Sequence, residues 1–172
     1  MIKTERFELW GPRRADLEGF VRLLDDPETV RFLGEARPSH PTQWERLMRN
    51  AGCWAVYGYG TFMVRPLGSE EIIGSCGIFP SWREVPASFV EVPEAGWIVR
   101  RDHAGRGVAR EVMSAAITWF ETAFGRQRIV CMIEDGNDAS LRLAAHLGFR
   151  QYATESPEKG NPLVLLERLP AP

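Results

Sequence analysis

Apolar residues recur along this chain with two different periods, and the changes between them lay out its elements. Glu5 to Trp10 alternates loosely and predicts a first strand, ended by Gly11-Pro12. From Asp16 to Leu24 the apolar positions are Leu17, Phe20, Val21 and Leu24, a spacing that places them on one helical face. Asp26-Pro27 breaks that pattern, and Pro27 suits the opening of a second short helix through Phe32. Residues 34–41 read as a linker. Thr42 to about Tyr57 predicts a helix with Trp44, Leu47, Met48 and Ala51 on one side, its end left open by Gly52.

The period then shortens. Thr61 to Val64 and Glu71 to Ile78 read as strands around a turn at Gly68-Ser69. Ser81 to Pro86 is a polar connection with a buriable Trp82. A strand over Ala95 to Val99 places Trp97 and Val99 on one face and Gly96 and Ile98 on the other. Within residues 101–125, Val108, Val112, Ala115, Ala116, Trp119 and Phe120 form a broad helical stripe, stopped by Gly125. Arg128 to Ile133 is a strand and Asn137 to Leu147 a helix. Phe149 and Tyr152 start the next strand, and Leu163 to Leu166 is the last. This order implies an α/β fold with a single mixed, mostly antiparallel sheet flanked by helices. It lacks the repeated βαβ units of a dinucleotide fold, and Arg110 occupies the last glycine position of that fingerprint.

Composition narrows the function classes. A chain of 172 residues is the length of one domain, residues 1–172. With 44% hydrophobic and 26% charged residues it is no disordered chain. The 21 basic and 23 acidic residues give a net charge of −2, which argues against direct nucleic-acid binding. Arg13, Arg14, Arg37, Arg46 and Arg49 form no repeated basic motif. Cys53, Cys76 and Cys131 are odd in number and share no short spacing, so neither a zinc site nor a disulfide framework is expected. The amino end is charged, and no apolar run reaches the roughly 20 residues of a membrane span. The expectation is a soluble, cytoplasmic protein without metal.

The segment HAGRGVA, residues 103–109, joins a strand to a long helix. Two readings stand: an ordinary turn with two glycines, or an anion site. Glycine lets backbone approach a ligand closely, and the first helical turn offers unpaired N–H groups to a phosphate. Arg101, Arg106 and Arg110 add positive charge nearby.

Four segments, in this order and spacing, resemble the GNAT superfamily of N-acetyltransferases, nearest its branch of ribosomal-protein N-terminal acetyltransferases and their small-molecule relatives. They are TERFELWGPRRADLEGFVRLLDDPETVRFLG (4–34), EIIGSCGI (71–78), EAGWIVRRDHAGRGVAREVMSAAITWFE (94–121) and NDASLRLAAHLGFR (137–150). The family's cofactor motif, Q/R-x-x-G-x-G/A, matches at Gly105 and Gly107 and departs at Asp102, its leading position. The resemblance implies an acyl-CoA acyltransferase fold. The amides of Ala104, Gly105, Arg106, Gly107, Val108 and Ala109 would surround the pyrophosphate of acetyl-CoA. The thioester would lie along the strand ending near Val99, splayed from the Arg128–Ile133 strand. A homodimer is a further implication.

The implied reaction is attack of a neutral amine on the thioester, in a ternary complex and without an acetyl-cysteine. Glu94 matches a recurrent acidic position and is the first candidate base, with Glu91 second; either also reads as a solvated carboxylate. Ser140 matches the branch's N-x-x-S pattern, with its hydroxyl available to coenzyme A or the leaving sulfur. Asn137 is a helix cap, a cofactor contact or both. The tyrosine that many members use as general acid is Ala144 here. His103 meets a phosphate or faces water; His40 and His146 suggest no site. The aromatic-rich stretch Trp44, Trp54, Tyr57, Tyr59 and Phe62 is core or acceptor pocket. The acceptor is a peptide N-terminus or a small-molecule amine. The rival readings are a catalytically silent acyl-CoA-binding or sensor protein and, behind it, a structural protein.

Overall fold

Strand alternation and helical stripes assemble into one eight-stranded sheet in the computed structural model, which describes residues 1–33, 39–83, 89–157 and 160–170. The strands are β1 (Ile2–Lys3), β2 (Phe7–Trp10), β3 (Thr61–Pro66), β4 (Gly74–Ser81), β5 (Val92–Val99), β6 (Ile129–Glu134), β7 (Arg150–Glu155) and β8 (Leu163–Arg168). Their order is β1-β2-β3-β4-β5-β6-β8-β7. Only β5 and β6 run parallel; every other neighbouring pair is antiparallel. The helices are α1 (Leu17–Leu23), α2 (Pro27–Val30), α3 (His40–Tyr57), α4 (Val108–Phe124) and α5 (Asp138–His146). None among the described residues is long and apolar enough to cross a membrane.

The sheet is covered on both faces. Beneath α4 and α5 lies the main core, where Val108, Val112, Met113, Ala116 and Phe120 of α4 meet Phe62, Val64, Cys76, Ile78, Ala95 and Cys131. On the opposite face, Phe20, Leu23 and Leu47 of α1 and α3 pack on Trp10, Met63 and Ile72. Asp16 is buried in this second layer. It accepts hydrogen bonds from Trp10 Nε1 at 2.9 Å and the Arg13 amide at 2.7 Å, and pairs with the Arg13 guanidinium.

Several boundaries differ from the sequence expectation. The first strand begins at Phe7 because Thr4 closes a turn: its amide donates to Phe7 O, and its hydroxyl oxygen accepts the Phe7 amide. Residues 5 and 6 are thereby bent, and Ile2–Lys3 pairs back on Leu9 and Glu8. Helix α3 starts earlier than expected, at His40, where Ser39 and Thr42 cap each other, and it runs through Gly52. Its buried face is also displaced. Gln43 and Leu47 are buried, whereas Trp44 and Met48 stand half exposed. Two turns beyond Leu47, Trp54 donates its indole N–H to Thr61 O at 2.9 Å, which ties the helix end to β3. Trp82, expected to be buried, is 65% exposed. Residues 34–38 of the expected linker and 84–86 of the polar connection lie outside the described residues.

Candidate active site

Parallel neighbours normally exchange evenly spaced hydrogen bonds along their length. Here β5 and β6 share one register pair, Glu94 with Val130, and then diverge. The Arg100 amide donates to Ile73 O, on the β4 side. Alternation then turns the backbone groups of Val99 and Trp97 toward the opening between β5 and β6. A cavity of about 910 Å³ occupies this opening. It is lined by Gly96 to Val99 on one strand and by Cys131 to Glu134 on the other, and its mouth is formed by Ala104, Gly105, Gly107, Val108 and Ala109.

That mouth is a turn built to expose amides. Gly105 and Gly107 have φ of +74° and +75°, in the left-handed region that only glycine enters without strain. Gly107 is the N-cap of α4, so the unpaired N–H groups of the first turn face the cavity mouth. The loop is braced from behind by Arg6. Its guanidinium donates to Arg106 O at 3.1 Å and to Glu111 Oε2 at 2.7 Å, and its amide donates to Glu111 Oε1 at 3.0 Å. Thr4 Oγ1 donates to the same Glu111 oxygen at 2.6 Å. The Asp102 carboxylate turns onto Arg100, accepting from its Nε at 2.7 Å and Nη2 at 2.8 Å; Arg100 also pairs with Glu71. These hydrogen bonds hold Asp102 below the usual aspartate range and offset its negative charge beside the loop. On the other flank, Thr29 of α2 accepts the Arg101 amide at 3.0 Å.

The Glu111 brace carries a pH signature. Burial alone pushes its carboxyl up. The hydrogen bonds from Thr4 and Arg6 outweigh that and leave it below the ordinary glutamate range. A depressed folded value means that the stabilisation is present above about pH 4.5 and is lost as pH falls through the folded value. Glu111→Gln is therefore expected to lower the melting temperature by a few degrees at pH 7. Melting curves from pH 7 down to 3 should show the gap to wild type closing; a gap that persists unchanged at pH 3 would refute the charge argument.

Deeper in the cavity two carboxylate and hydroxyl groups stand on opposite faces of the sheet. Glu94 is 4% exposed, and Arg83 clasps it through Nε to Oε2 and Nη2 to Oε1, both 2.9 Å. Donating these hydrogen bonds to Glu94 raises the Arg83 guanidinium above its ordinary value. By strand alternation Glu94 shares the face of Ile98, under α1 to α3, whereas Trp97 and Val99 belong to the face under α4 and α5. On that second face, Ser140 Oγ accepts the Trp97 indole N–H at 3.2 Å. The Asn137 side chain caps α5 by accepting the Ser140 amide at 3.2 Å, which places the hydroxyl at the cavity wall. Ala144, one turn on, is fully buried.

The candidate residues Glu94, Val99, Ala104, Gly105, Gly107, Val108, Ala109, Asn137 and Ser140 thus line one cavity, as does His103. Arg106 instead lines an adjoining cleft with Arg6, Arg110 and Glu111. Glu91 is exposed, with φ of +57°, and is not among the cavity-lining residues. Sequence reasoning missed Arg83, Arg6 and Thr29, and missed Trp97 as a hydrogen-bond donor; none carries a local motif. The cysteines are held as thiols. Burial pushes Cys76 up to about 12, raises Cys53, and raises Cys131 further still with help from the Glu94 charge.

Comparison with known proteins bears on this geometry. The family model described as the acetyltransferase (GNAT) domain matches residues 6–150. A Bordetella pertussis protein assigned to GnaT-family acetyltransferases is 32% identical, with a TM-score of 0.87, over 97% of this chain and 98% of its own. The ribosomal-protein-S5-alanine acetyltransferase of Vibrio fischeri shares the fold at 18% identity and a TM-score of 0.79, over 98% of this chain and 96% of its own. So does yncA of Salmonella typhimurium, solved with its cofactor acetyl-CoA, at 20% identity and a TM-score of 0.72, over 95% and 93%.

Proposed function

The chain belongs to the GNAT acetyltransferase family, an acetyl-CoA-dependent N-acetyltransferase, and on that footing we propose that it acetylates a primary amine by direct attack within a ternary complex. One observation supports this reading above the others: the single register pair between β5 and β6, which opens a cavity whose mouth is a turn of exposed amides. The turn at Ala104 to Ala109 suits a pyrophosphate, because several N–H groups and the positive end of α4 converge there. The outward-turned backbone of Trp97 and Val99 suits the amide-bearing pantetheine arm.

In this reading the two faces divide the labour. The amine enters under α1 to α3, beside Glu94, and the thioester sulfur lies on the side of Ser140. A free α-amino group titrates near about 8, so a neutral fraction exists at pH 7 and needs modest help. Glu94 takes the amine proton, directly or through a water. A carboxylate oxygen carries two lone pairs, so among the described residues the clasp by Arg83 leaves one on each oxygen for that purpose. The amine nitrogen bonds to the acetyl carbon, the C–S bond breaks, and the electron pair leaves with sulfur. Ser140 stabilises that sulfur by a hydrogen bond, and the thiolate is finally protonated from solvent. The raised thiol values of all three cysteines fit none of them to carry the acetyl covalently.

The acceptor is a peptide N-terminus or a small-molecule amine; the Vibrio fischeri neighbour, by its name, takes a ribosomal-protein alanine. Purified protein with acetyl-CoA and a panel of alanine-, serine- and methionine-initiated peptides, free amino acids, a polyamine and an aminoglycoside tests the proposal. The expected result is thiol release that depends on one amine class. Tight coenzyme A binding with no amine-dependent turnover across the panel would favour a silent acyl-CoA-binding protein.

A further inference from the structure

The Trp97–Ser140 hydrogen bond joins a strand of the splay to the first turn of α5. A serine hydroxyl has one hydrogen and two lone pairs, and it turns to suit its partners. Within a helix, serine commonly gives that hydrogen to the carbonyl one turn back. Ser140 sits in the first turn of α5, after the Asn137 cap, where no preceding helical turn offers such a carbonyl. Its oxygen instead receives the Trp97 N–H at 3.2 Å, and among the described residues no acceptor takes its hydrogen. Both residues are half-buried at the cavity wall.

From this arrangement we infer that Trp97 is a positioning residue: it engages one lone pair of Ser140, keeps the hydroxyl hydrogen off the indole side and so favours its donation to the sulfur of coenzyme A. This rests on the reading of Ser140 given above. The donated N–H does two things. It disfavours the rotamer in which the hydroxyl hydrogen points at the indole, which raises the share that faces the sulfur, and it polarises the O–H bond, because hydrogen bonds in a chain strengthen one another. The anchor is stiff. Trp97 packs with the main core, and the Ser140 amide is fixed by Asn137. Nothing is transferred between Trp97 and Ser140; the indole keeps its proton throughout. The gain falls on the thiolate, which a donated hydrogen favours over the thiol.

A hydroxyl donor at sulfur lowers the thiol pKa of bound coenzyme A, so affinity must rise with pH through the thiol range near about 8.5. This readout needs no acceptor. Titrating wild type with coenzyme A from pH 7 to 10 should give about tenfold tightening, the equivalent of a shift of one unit. Desulfo-coenzyme A, which lacks the sulfhydryl, should give a flat profile. Trp97→Phe keeps an aromatic ring and loses the N–H, and its coenzyme A profile should become shallower than wild type when each is divided by the same protein's desulfo-coenzyme A profile. Ser140→Ala, which removes the donor itself, should flatten fully, and the double variant no further. Trp97→Leu, which is apolar and carries no donor, serves if the Phe variant fails to fold and should also become shallower than wild type.

A Trp97→Phe profile as steep as wild type, with Ser140→Ala flat, would overturn the role of Trp97 alone. Steep profiles in both variants, or a flat wild type, would overturn the Ser140 reading beneath it.

Discussion

Gly107→Val should weaken coenzyme A binding by at least tenfold while the protein stays folded. The backbone at 107 has φ of +75°, where a β-branched residue is a steric outlier. Holding it there costs about 1–2 kcal/mol, and relaxing it turns the peptide away from the mouth. A Cβ at this position would lie 3.5 Å from Arg6 Nη2, and the two γ-methyls of valine reach further, into the brace that fixes the Arg106 carbonyl. Strain and clash therefore act on the same amides that converge on the pyrophosphate. The core is spared, since Val108, Val112 and Met113 are anchored beyond the turn. Gly105→Ala is the internal comparison. Its φ is similar, at +74°, but an added Cβ meets open space, so only the backbone term applies and the loss should be smaller. Calorimetric titration with coenzyme A, alongside melting curves, checks both. Unchanged affinity in a folded Gly107→Val variant would remove the pyrophosphate from this turn.

The contrast between what this sequence discloses and what it hides follows from the range of each interaction. Helix stripes, strand alternation and capping are local, so the element order and the Asn137 cap of Ser140 are legible at a glance. So is the two-glycine turn, because its unusual backbone demands unusual residues. Solvent exposure is set by neighbours far away in sequence, which is why Trp44, Met48 and Trp82 stand at the surface although their residue type suggests burial. The splay is invisible for a different reason. β5 and β6 each read as ordinary strands, and the opening consists of ladder bonds that the two do not make beyond Glu94 and Val130. Arg83 is one arginine in a polar connection, and nothing local connects it with a carboxylate eleven residues on. Trp97 reads as core from its alternation alone. Its N–H finds Ser140 only once α5 has docked across the sheet.

The clasp between Arg83 and Glu94 supplies the second large effect. Glu94→Gln should lower amine-dependent turnover at saturating acetyl-CoA by about a hundredfold at pH 7, the scale of a general base. Gln keeps the shape and still accepts from Arg83, but it cannot take a proton. The sign of the pH dependence follows from the acceptor. Below about pH 8 the free amine is mostly protonated, and removal of its proton depends on the enzyme. Above that, the amine arrives neutral and the defect should shrink. Arg83→Ala separates the partner's role. It strands a carboxylate whose side chain is only 6% exposed, which costs several kcal/mol for a wholly buried pair. The Arg83 side chain is 41% exposed, so solvent screening reduces this to about 2 kcal/mol, or about 4–8 °C in melting temperature. Glu94→Gln leaves behind a guanidinium that reaches water and should melt within a few degrees of wild type. A base and its anchor thus give different results: a loss of rate with little loss of stability for Glu94→Gln, and a loss of stability for Arg83→Ala. Wild-type turnover and pH profile in a folded Glu94→Gln variant would reduce the carboxylate to the anchor of Arg83 and pass proton removal to water.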